Sequence, residues 1–389
     1  MGRKVVVPVV ILLFGDKLNI GGTETHIFTV AQELRRRGHR VIIGTSGGPL
    51  EPAFVKAGLE VVRLPFKSDD PVLTELSDLI RMVKDLVNGE QVDILHANFL
   101  GGMKVASQVS QELGIPLIVT VHGLYYPFKL MRRAVELSTR VIAVSIPARN
   151  YVVNTIKYEA RKVTVIPNGI DCHVYQPGPK MNRFRKELGL GLDEKAKVVL
   201  TCGRIAWGKT RVIASLIEAA RLFTQDDFGN NIYYVIAGSG PDTSLIRLRV
   251  ELTNQALGRR VITMVGERTN LVEAYQAADL VVGTARVALE AMSCARPVIA
   301  AGNAGYIGAV HKDRFGMAWE NYFGDHKAPQ LINTRQLISD MAFFLNNPNK
   351  AESIGRECRL WVEEQFAIEK VVSKIEKVYQ EARSEQLWL

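Results

Sequence analysis

Two cations stand close together in the stretch "TCGRIAWGKT", residues 201–210, and a glycine directly precedes each of them. Arg204 offers a planar fork of N–H donors and Lys209 offers a point charge, a pair that suits a diphosphate group. Two exposed surface cations are the alternative. A further glycine loop, "AGSGP" with Gly238 and Gly240, follows the next predicted strand and favours the anion site.

A second set of candidates lies in "LVVGTARVALEAM", residues 280–292. The apolar run predicts a strand and the rest a helix whose N-cap is Thr284. Backbone N–H groups at the start of such a helix attract an anion. They belong to Ala285, Arg286 and Val287. Glu290 follows one turn later, where its carboxylate suits the vicinal hydroxyls of a ribose; a position on the solvated face of the helix is the alternative.

Paired glycines form a third candidate, directly after the first predicted strand. Gly21 and Gly22 are followed by Thr23 and Glu24 and then by a helical pattern. Glycine lets a backbone approach a ligand closely, and the helix that follows offers N–H groups to an anion. A phosphate loop and a purely structural turn both remain open from this pattern.

The elements that position these residues alternate along the chain. Apolar runs such as "KVVVPVVILLF" and "PLIVTVHG" predict strands, and amphipathic stretches such as "ETHIFTVAQELRRRG" predict helices between them. Fully apolar strands that alternate with helices indicate an α/β fold with a doubly wound parallel sheet. The series restarts after residues 170–180, so we predict two Rossmann-like domains in tandem, and the tail has helical periodicity only.

Composition fits a globular protein, because 47% of the 389 residues are hydrophobic and 23% are charged. No run reaches the roughly 18 apolar residues of a membrane span. The four cysteines form no C-x-x-C pair, which favours a reducing cytoplasm over a zinc site or a disulfide framework. The net charge of +9 includes the patches "RRRGHR" (35–40) and "KLMRR" (129–133). These suit an anionic membrane surface or acidic substrate, or are solvated helix ends; no nucleic-acid module is present.

Together these features resemble the two-domain (GT-B fold) retaining glycosyltransferases of the family 4 type, over nearly the whole chain. The landmarks, in order, are "GGTETHIFTVAQELRRRGHRV", "DILHAN", "VTVHG", "VIAVS", "KVTVIPNGID", "CGRIAWGK", "AGSGP", "AYQAADLVV" and "LEAMSCARPVIA". The resemblance implies an N-terminal acceptor-side domain over 1–175 and a nucleotide-sugar domain over 176–364. It implies a C-terminal helix over 365–389 that crosses back to the first domain.

The resemblance also implies roles for individual residues. Arg204 and Lys209 match the pair that holds the nucleotide diphosphate and stabilises its departure. Glu290 matches the glutamate that binds the ribose, Gly22 matches the glycine loop that faces the donor phosphates, and the "GSG" loop would lie near the base. His122 in "VTVHG" matches a histidine that contacts the donor sugar.

The chain departs from the family pattern at one place. The family usually carries two glutamates eight positions apart, as in E-x-F-G-x-x-x-x-E, yet Val282 stands eight residues before Glu290. Thr284 and Ala285 replace the Phe-Gly pair, and Arg286 adds a cation. The missing acid normally orients the transferred sugar. Arg286 or a main-chain group of the 283–286 turn is expected to take over that contact.

The expected function is metal-independent retaining transfer of a sugar from a nucleoside-diphosphate sugar, with UDP favoured and GDP open. No D-x-D-like motif stands at the predicted diphosphate site; Asp69-Asp70 and Asp226-Asp227 lie in polar loop contexts. No metal or other cofactor is expected. The acceptor, a glycan, lipid-linked or small molecule, is expected near "HGLYYPFKLMRR" (122–133), in the cytoplasm or at the inner face of the cell membrane.

Two other functions stay open from the sequence. A protein of this fold that binds nucleotide sugars without transferring them would explain Val282, although the retained Arg204, Lys209 and Glu290 argue against a degraded site. A sugar-nucleotide epimerase of the same fold would need further acids that the sequence does not place.

Overall fold

The chain forms two compact units in the computed structural model, which describes residues 7–66, 73–190, 195–223 and 231–386. Unit 1 comprises Met1–Gly169 together with Ile368–Leu389, and unit 2 comprises Ile170–Ala367. The sequence placed this boundary after residue 175. The structure places it earlier because the N–H of Ile170 donates to the carbonyl oxygen of Phe366 (2.8 Å), which ties Ile170 to the end of unit 2.

Unit 1 contains a seven-stranded parallel sheet with the strand order β3-β2-β1-β4-β5-β6-β7. The strands are β1 (Val10–Phe14), β2 (Arg40–Thr45), β3 (Glu60–Arg63), β4 (Ile94–Ala97), β5 (Leu117–Val121), β6 (Arg140–Ala143) and β7 (Val163–Val165). The helices are α1 (Gly22–Arg36), α2 (Glu51–Lys56), α3 (Leu73–Gly89), α4 (Leu100–Leu113), α5 (Phe128–Glu136), α6 (Ile146–Asn150) and, from the end of the chain, α15 (Ile368–Gln386). A π-helical turn, Tyr151–Thr155, and a 3-10 turn, Ala160–Lys162, precede β7.

The first strand shows why the sheet is central. Ile11, Leu12, Leu13 and Phe14 are all 0–1% exposed, so residues of both faces of β1 are buried, as a doubly covered parallel sheet requires. The predicted strand began at residue 4, whereas β1 begins at Val10 and residues 1–6 lie outside the described segments. Pro8 has no N–H to donate to a neighbouring strand, which shortens the strand.

Helix α15 packs on unit 1 through one apolar face. Its buried residues recur every three or four positions and are Ile368, Val371, Val372, Ile375, Val378, Tyr379 and Ala382. Three of its contacts are polar, and the two with histidines are buried: Tyr379 Oη lies 2.7 Å from Nδ1 of His96, and Glu376 accepts from Arg37 (2.9 Å) and His39 (3.1 Å). The terminal helix that the sequence predicted therefore belongs to the N-terminal unit.

These contacts also decide the role of most of the basic patch 35–40. Arg36 pairs with Glu33 (2.6 Å), Arg37 reaches Glu33 and Glu376, and Arg40 pairs with carboxylates on two other segments. His39 is buried and its Nδ1 accepts from the N–H of Val9 (3.2 Å). Arg36, Arg37 and Arg40 are thus paired with carboxylates inside unit 1, which argues against a patch that is held free to bind anions.

We expect Tyr379→Phe to lower the free energy of unfolding by about 1–2 kcal/mol, because it leaves a buried nitrogen of His96 without this partner. Burial lowers the pKa of His96 to about 3, so its ring is neutral near pH 7 and accepts a hydrogen bond on one nitrogen. Urea unfolding measures the change. Tyr234→Phe is the control, since its buried hydroxyl has no hydrogen-bond partner in the described structure. Equal losses in both variants would contradict the assignment.

Unit 2 contains a six-stranded sheet with the order β10-β9-β8-β11-β12-β13. The strands are β8 (Lys197–Cys202), β9 (Ile232–Ala237), β10 (Ile262–Gly266), β11 (Leu280–Gly283), β12 (Val298–Ala301) and β13 (Tyr306–Ala309). The helices are α7 (Arg183–Glu187), α8 (Trp207–Phe223), α9 (Thr243–Ala256), α10 (Val272–Ala277), α11 (Ala285–Ser293), α12 (Phe315–Glu320), α13 (Thr334–Leu345) and α14 (Pro348–Gln365). Short 3-10 segments cover Lys312–Arg314 and Tyr322–Gly324.

Five of these strands are parallel, as predicted, and β13 is not. It pairs antiparallel with β12 at the edge of the sheet, with a register shift between Ala300 and Ala301. The sequence analysis ended the second series at β12. A four-residue strand that follows β12 after only a short turn must reverse direction, because a parallel return needs a long crossover.

No helix among the described residues is long and apolar enough to cross a membrane. No group of three His, Cys, Asp or Glu side chains in these segments forms a metal-ion site. The pairs Asp69-Asp70 and Asp226-Asp227 lie outside the described residues.

Candidate functional site

Two loops of unit 2 lie backbone to backbone where β8 and β9 end. A Cβ atom on Gly238 would collide with the carbonyl oxygen of Gly203, and one on Gly240 would collide with that of Ile205. The N–H of Ile205 also donates to the carbonyl oxygen of Ser239 (2.8 Å). Gly238 has a φ of +143°, a conformation that favours glycine. The predicted glycine loop therefore supports the loop that carries the two cations.

Arg204 projects from that loop as an exposed side chain. Its Cζ atom lies 5.6 Å from the ring centroid of Trp207, within cation–π distance. Trp207 is 67% exposed and begins α8 with a φ of +54°, a strained conformation for a bulky residue. Such strain persists only where the surroundings enforce it, and it often marks a functional site. Sequence reasoning missed Trp207.

Lys209 lies in the first turn of α8, and its side chain is 31% exposed. Its Nζ atom is 3.6 Å from Oδ1 of Asp325, which also accepts from Nδ2 of Asn303 at 3.0 Å. Gly208 lets this segment approach, because a Cβ there would collide with the carbonyl oxygen of Asn303. The predicted lysine is thus brought together with an acid and an amide that the sequence analysis did not single out.

Thr284 occupies the N-cap position of α11, but its side chain does not cap the helix. Its hydroxyl donates to the carbonyl oxygen of Phe323 (2.7 Å), so the predicted cap is wrong. The next residue, Ala285, has a φ of +47°. The position at which the family pattern has glycine therefore keeps a left-handed backbone here with a side chain attached, at a cost of roughly 1–2 kcal/mol. Val287 is half-buried beside it.

Glu290 is buried, with 4% of its surface exposed, so the solvated-face alternative is wrong. Its Oε1 accepts from Nε of Arg286 (2.6 Å) and its Oε2 accepts from the hydroxyl of Tyr275 (2.8 Å). Burial alone would lower the pKa of Arg286, yet Glu290 and Tyr175 beside it raise that pKa, so the guanidinium stays charged. Arg286 is turned towards Glu290 within unit 2.

Position 282 lies inside a strand. Val282 is 0% exposed and is paired with Thr201 of β8 and Ile299 of β12. The side chain at position 282 packs in the apolar core of unit 2. The residue that takes the place of the family's first glutamate therefore comes from another segment or is absent.

In unit 1, Gly21 is the N-cap of α1 and has an extended backbone, with φ −165° and ψ 164°. The carboxylate of Glu24 folds back over it, where a Cβ on Gly21 would collide. Gly22 is the first residue of α1. The absence of a side chain on Gly21 thus makes room for the Glu24 side chain. Of the two alternatives that the sequence left open, the phosphate loop would bring a phosphate close to this carboxylate, which carries charge of the same sign.

His122 follows β5 and is half-buried. Its Nε2–H donates to Oδ1 of Asn98 (2.9 Å), which follows β4, and its ring centroid lies 5.4 Å from that of His26 on α1. Asn98 in turn donates to the carbonyl oxygen of Phe14 at the end of β1 (3.4 Å). The structure therefore gathers these side chains at one edge of the unit 1 sheet, and sequence reasoning found only His122 among them.

Asp16 lies at the same edge, two residues after β1, and sequence reasoning missed it too. Its two carboxylate oxygens accept from the N–H groups of Gly101 and Gly102 at the start of α4, both at 2.8 Å. Burial raises the pKa of Asp16 to about 6 against the opposing effect of those two donors. Burial raises the pKa of Tyr126 to about 12, with Asp16 and Glu24 adding to it. Asp16 lies just after the end of a parallel strand, where ligands bind in such sheets, and this position could have indicated it in the sequence.

We expect the stability of the wild type relative to Asp16→Asn to fall as pH rises from about 4 to about 6, and then to level off. In this window the unfolded carboxyl has lost its proton and the folded one retains it, so folding is penalised by up to about 3 kcal/mol. Urea unfolding of both proteins at each pH isolates this contribution, since other groups cancel. A difference that is flat or rises with pH would show that the two N–H donors outweigh burial.

The segment 122–133 presents an apolar and basic surface in unit 1. Tyr125, Phe128 and Leu130 are 55%, 44% and 37% exposed. Lys129 and Arg133 are exposed between and beside them. The turn and the start of α5 thus combine apolar and cationic groups on the outside, while Met131 is buried and anchors the helix.

Comparison with known proteins explains the two units. The sequence profile described as Glycosyltransferase Family 4 matches residues 20–174, and that described as Glycosyl transferases group 1 matches residues 196–321. The chain belongs to the group 1 glycosyltransferases of the family 4 type. It is 26% identical to alpha-maltose-1-phosphate synthase of Mycolicibacterium smegmatis, over 92% of this chain and 95% of that protein. It is 24% identical to N-acetyl-alpha-D-glucosaminyl L-malate synthase of Bacillus anthracis, over 93% and 94%.

Solved structures show the same GT-B fold. A glycosyltransferase from Rickettsia africae superposes with a TM-score of 0.77 at 19% identity, over 96% of this chain and 98% of that one. Anabaena HepE in complex with UDP and glucose superposes with a TM-score of 0.76 at 20% identity, over 96% and 99%. These superpositions show the fold, which consists of two parallel-sheet α/β domains. The family profiles and the curated relatives show that the chain is a glycosyltransferase.

Proposed function

We propose that this glycosyltransferase transfers a sugar from a nucleoside-diphosphate sugar to a glycan, lipid-linked or small-molecule acceptor, with retention of anomeric configuration and without a metal ion. The observation that carries the proposal is the presentation of Arg204 and Lys209 together on the β8–α8 segment, at the start of a 17-residue helix. A UDP-sugar is the favoured donor, and the complex of Anabaena HepE with UDP and glucose, which has this fold, supports that choice. The product would enter a cell-surface polysaccharide or glycoconjugate.

The two cations would supply the chemistry that a departing diphosphate needs. As the bond from the anomeric carbon to the phosphate oxygen breaks, negative charge grows on that oxygen, and a guanidinium and an ammonium fixed beside it lower the barrier. The acceptor hydroxyl oxygen forms the new bond on the same face of the sugar and gives its proton to the leaving phosphate. Positioning and leaving-group electrostatics therefore carry the reaction, and the protein needs no covalent nucleophile.

Glu290 would recognise the ribose. The two carboxylate oxygens have four acceptor positions in all, and Arg286, Tyr275 and Tyr175 form hydrogen bonds with them in the structure. Three donors leave one acceptor position for a ribose hydroxyl. The same three side chains fix the direction of the carboxylate before a ligand arrives, which reduces the ordering cost of binding.

A panel of UDP-, GDP- and ADP-sugars tests the proposal through release of free nucleotide with a mixture of glycan and lipid-linked acceptors. We expect turnover with one nucleotide class, an α-linked product from an α-linked donor by NMR, and rates within about two-fold after treatment with EDTA. Nucleotide-sugar binding without any turnover would favour a binding protein of this fold. Loss of turnover in EDTA, restored by a divalent cation, would overturn metal independence.

On the acceptor side, we propose that unit 1 contacts the cytoplasmic face of a membrane that holds a lipid-linked acceptor. The contact would be made by the exposed apolar side chains of Tyr125, Phe128 and Leu130 and by the cations of Lys129 and Arg133. The apolar side chains would enter the membrane interface while the basic ones meet anionic headgroups, and each basic residue would contribute about 1 kcal/mol to binding.

We expect the protein to sediment with vesicles of anionic lipid and not with neutral ones. Lys129→Glu with Arg133→Glu should abolish this, and Lys312→Glu with Lys350→Glu, in unit 2, should not. Binding that is equal on neutral and anionic vesicles would contradict the proposal.

A further inference from the structure

In the proposed reaction, the transferred sugar needs a protein partner other than the side chain at position 282. Val282, where the family carries its first glutamate, is buried in β11, and the guanidinium of Arg286 is turned towards Glu290. A sugar ring presents several hydroxyls, and a carboxylate is the side chain best suited to accept from two of them. The inference below rests on the proposed function and concerns the sugar rather than the nucleotide.

One carboxylate of unit 2 lies beside the lysine proposed to bind the diphosphate. Asp325 places its Oδ1 atom 3.6 Å from Nζ of Lys209 and accepts from Nδ2 of Asn303 at 3.0 Å. Its Oδ2 atom lies 4.0 Å from Nε2 of His326, and its side chain is 11% exposed. Because the sugar is bonded directly to the phosphate that Lys209 would contact, its ring hydroxyls would lie near Asp325.

A strained turn brings Asp325 to this place. Tyr322, Phe323 and Gly324 have consecutive φ values of +50°, +55° and +83°, in the region that favours glycine. Two bulky residues there cost roughly 1–2 kcal/mol each, and the burial of both rings offsets part of that cost. Asp325 follows directly, so the unusual backbone fixes the direction in which its side chain leaves.

The same turn is joined to the start of α11. The carbonyl oxygen of Phe323 accepts from the hydroxyl of Thr284 (2.7 Å), and that of Gly324 accepts from the N–H of Ala304 (3.0 Å). Thr284 stands two residues after Val282. The turn therefore sets an acid next to the very segment in which the family's first glutamate is missing.

We propose that Asp325 is the carboxylate that binds hydroxyls of the transferred sugar, in place of the acid missing at position 282, with Asn303 beside it. In the absence of donor it pairs with Lys209, which holds both side chains ready. When the diphosphate binds Lys209, the lysine separates from Asp325, and the carboxylate oxygens then accept hydrogen bonds from the sugar hydroxyls. Asp325 would then determine which sugar is transferred, and Glu290 would act on the nucleotide alone.

A purely positioning role for Asp325, in which it only orients Lys209, leads to a different result. Loss of a positioning residue would weaken binding of the nucleotide and slow all donors alike. Loss of a sugar-binding carboxylate would leave the nucleotide bound and remove discrimination between sugars, because the site would no longer form a hydrogen bond with the correct hydroxyl. The two roles are separated by comparing UDP with UDP-sugars.

The experiment uses the full chain and the nucleotide class that the panel identifies. For Asp325→Ala we expect the Kd of the free nucleoside diphosphate to stay within about three-fold. We expect the ratio of kcat/KM for the best donor over its epimer or deoxy analogue to fall by about 10²-fold. Asp313→Ala is the control: it makes the same chemical change at a side chain that is 90% exposed and should leave both quantities unchanged. Asp325→Asn, which keeps the size and one acceptor, should give an intermediate ratio and serves if the alanine variant does not fold.

Each other outcome decides the matter. A Kd for nucleoside diphosphate that rises ten-fold or more while the donor ratio is unchanged would overturn the proposal and make Asp325 a positioning residue for Lys209. If the wild type binds nucleotide sugars without turnover, the ratio of their Kd values replaces that of kcat/KM. A wild type that binds no nucleotide at all would refute the proposed function itself, whereas unchanged selectivity in an active Asp325→Ala enzyme would refute only this inference.

Discussion

Arg204→Ala is expected to lower kcat/KM for the best donor by about 10³-fold, mainly through kcat. The guanidinium is exposed and lies over the ring of Trp207, and it forms no hydrogen bond with the described residues. Its removal therefore should cost within about 0.5 kcal/mol of stability, as for other surface substitutions. A large loss of rate with an unchanged fold is the signature of a group that acts on the transition state.

Arg204→Lys and Arg356→Ala sharpen this test. Lysine keeps the charge without the fork of donors, so we expect it to recover only part of the rate. Arg356 is 62% exposed and pairs within α14 with Glu352, and its loss should leave kcat/KM within two-fold. Steady-state kinetics with urea unfolding of each variant supplies both readouts. If Arg204→Ala retained the wild-type rate, the diphosphate would have to lie elsewhere.

The sequence predicted the architecture well where burial alone decides it. Parallel strands that are covered on both faces need apolar residues at every position, and runs such as that of β1 carry this signal without help from the rest of the chain. The edge strand β3, with burial that is only partial along Glu60–Arg63, carries no such run and went unnoticed. β13 was missed because four residues at an edge give too short a pattern.

The site was predicted in part, for the same reason. The segment around Arg204 and Lys209 is local in sequence, so its residues could be found together. Asp325 follows Glu290 by 35 positions and is brought in by a turn in which two aromatic residues adopt left-handed conformations against their local preference. Only tertiary contacts stabilise that conformation, and a single sequence does not show them.

Partners far apart in sequence also decided the meaning of charged residues. Arg37 and Glu376 lie more than 300 positions apart. The sequence therefore did not show that the basic patch at 35–40 is paired with an acid on the terminal helix. Arg286 is a local example of the same ambiguity. Its charge suggested that it contacts the transferred sugar. The four-residue spacing to Glu290 equally allowed an ion pair, and the structure contains that ion pair.

Arg286→Met is expected to lower the free energy of unfolding by about 3–5 kcal/mol, because it leaves the buried carboxylate of Glu290 without its cation. The side chains of this pair are only 7% and 6% exposed. Tyr275 and Tyr175 would remain as partners, but neutral hydroxyls do not compensate a buried charge. Urea unfolding measures the loss.

The double variant Arg286→Met with Glu290→Gln separates loss of the pair from loss of volume. Removing both charges should recover most of the stability, so that a double-mutant cycle gives a coupling of about 2 kcal/mol or more. Arg132→Met is the matched control: Arg132 and Glu136 have the same four-residue spacing on α5, with 54% and 47% exposure, and should lose less than about 1 kcal/mol. Similar losses at both arginines would mean that Glu290 reaches water, and it would then be free to bind the ribose without Arg286.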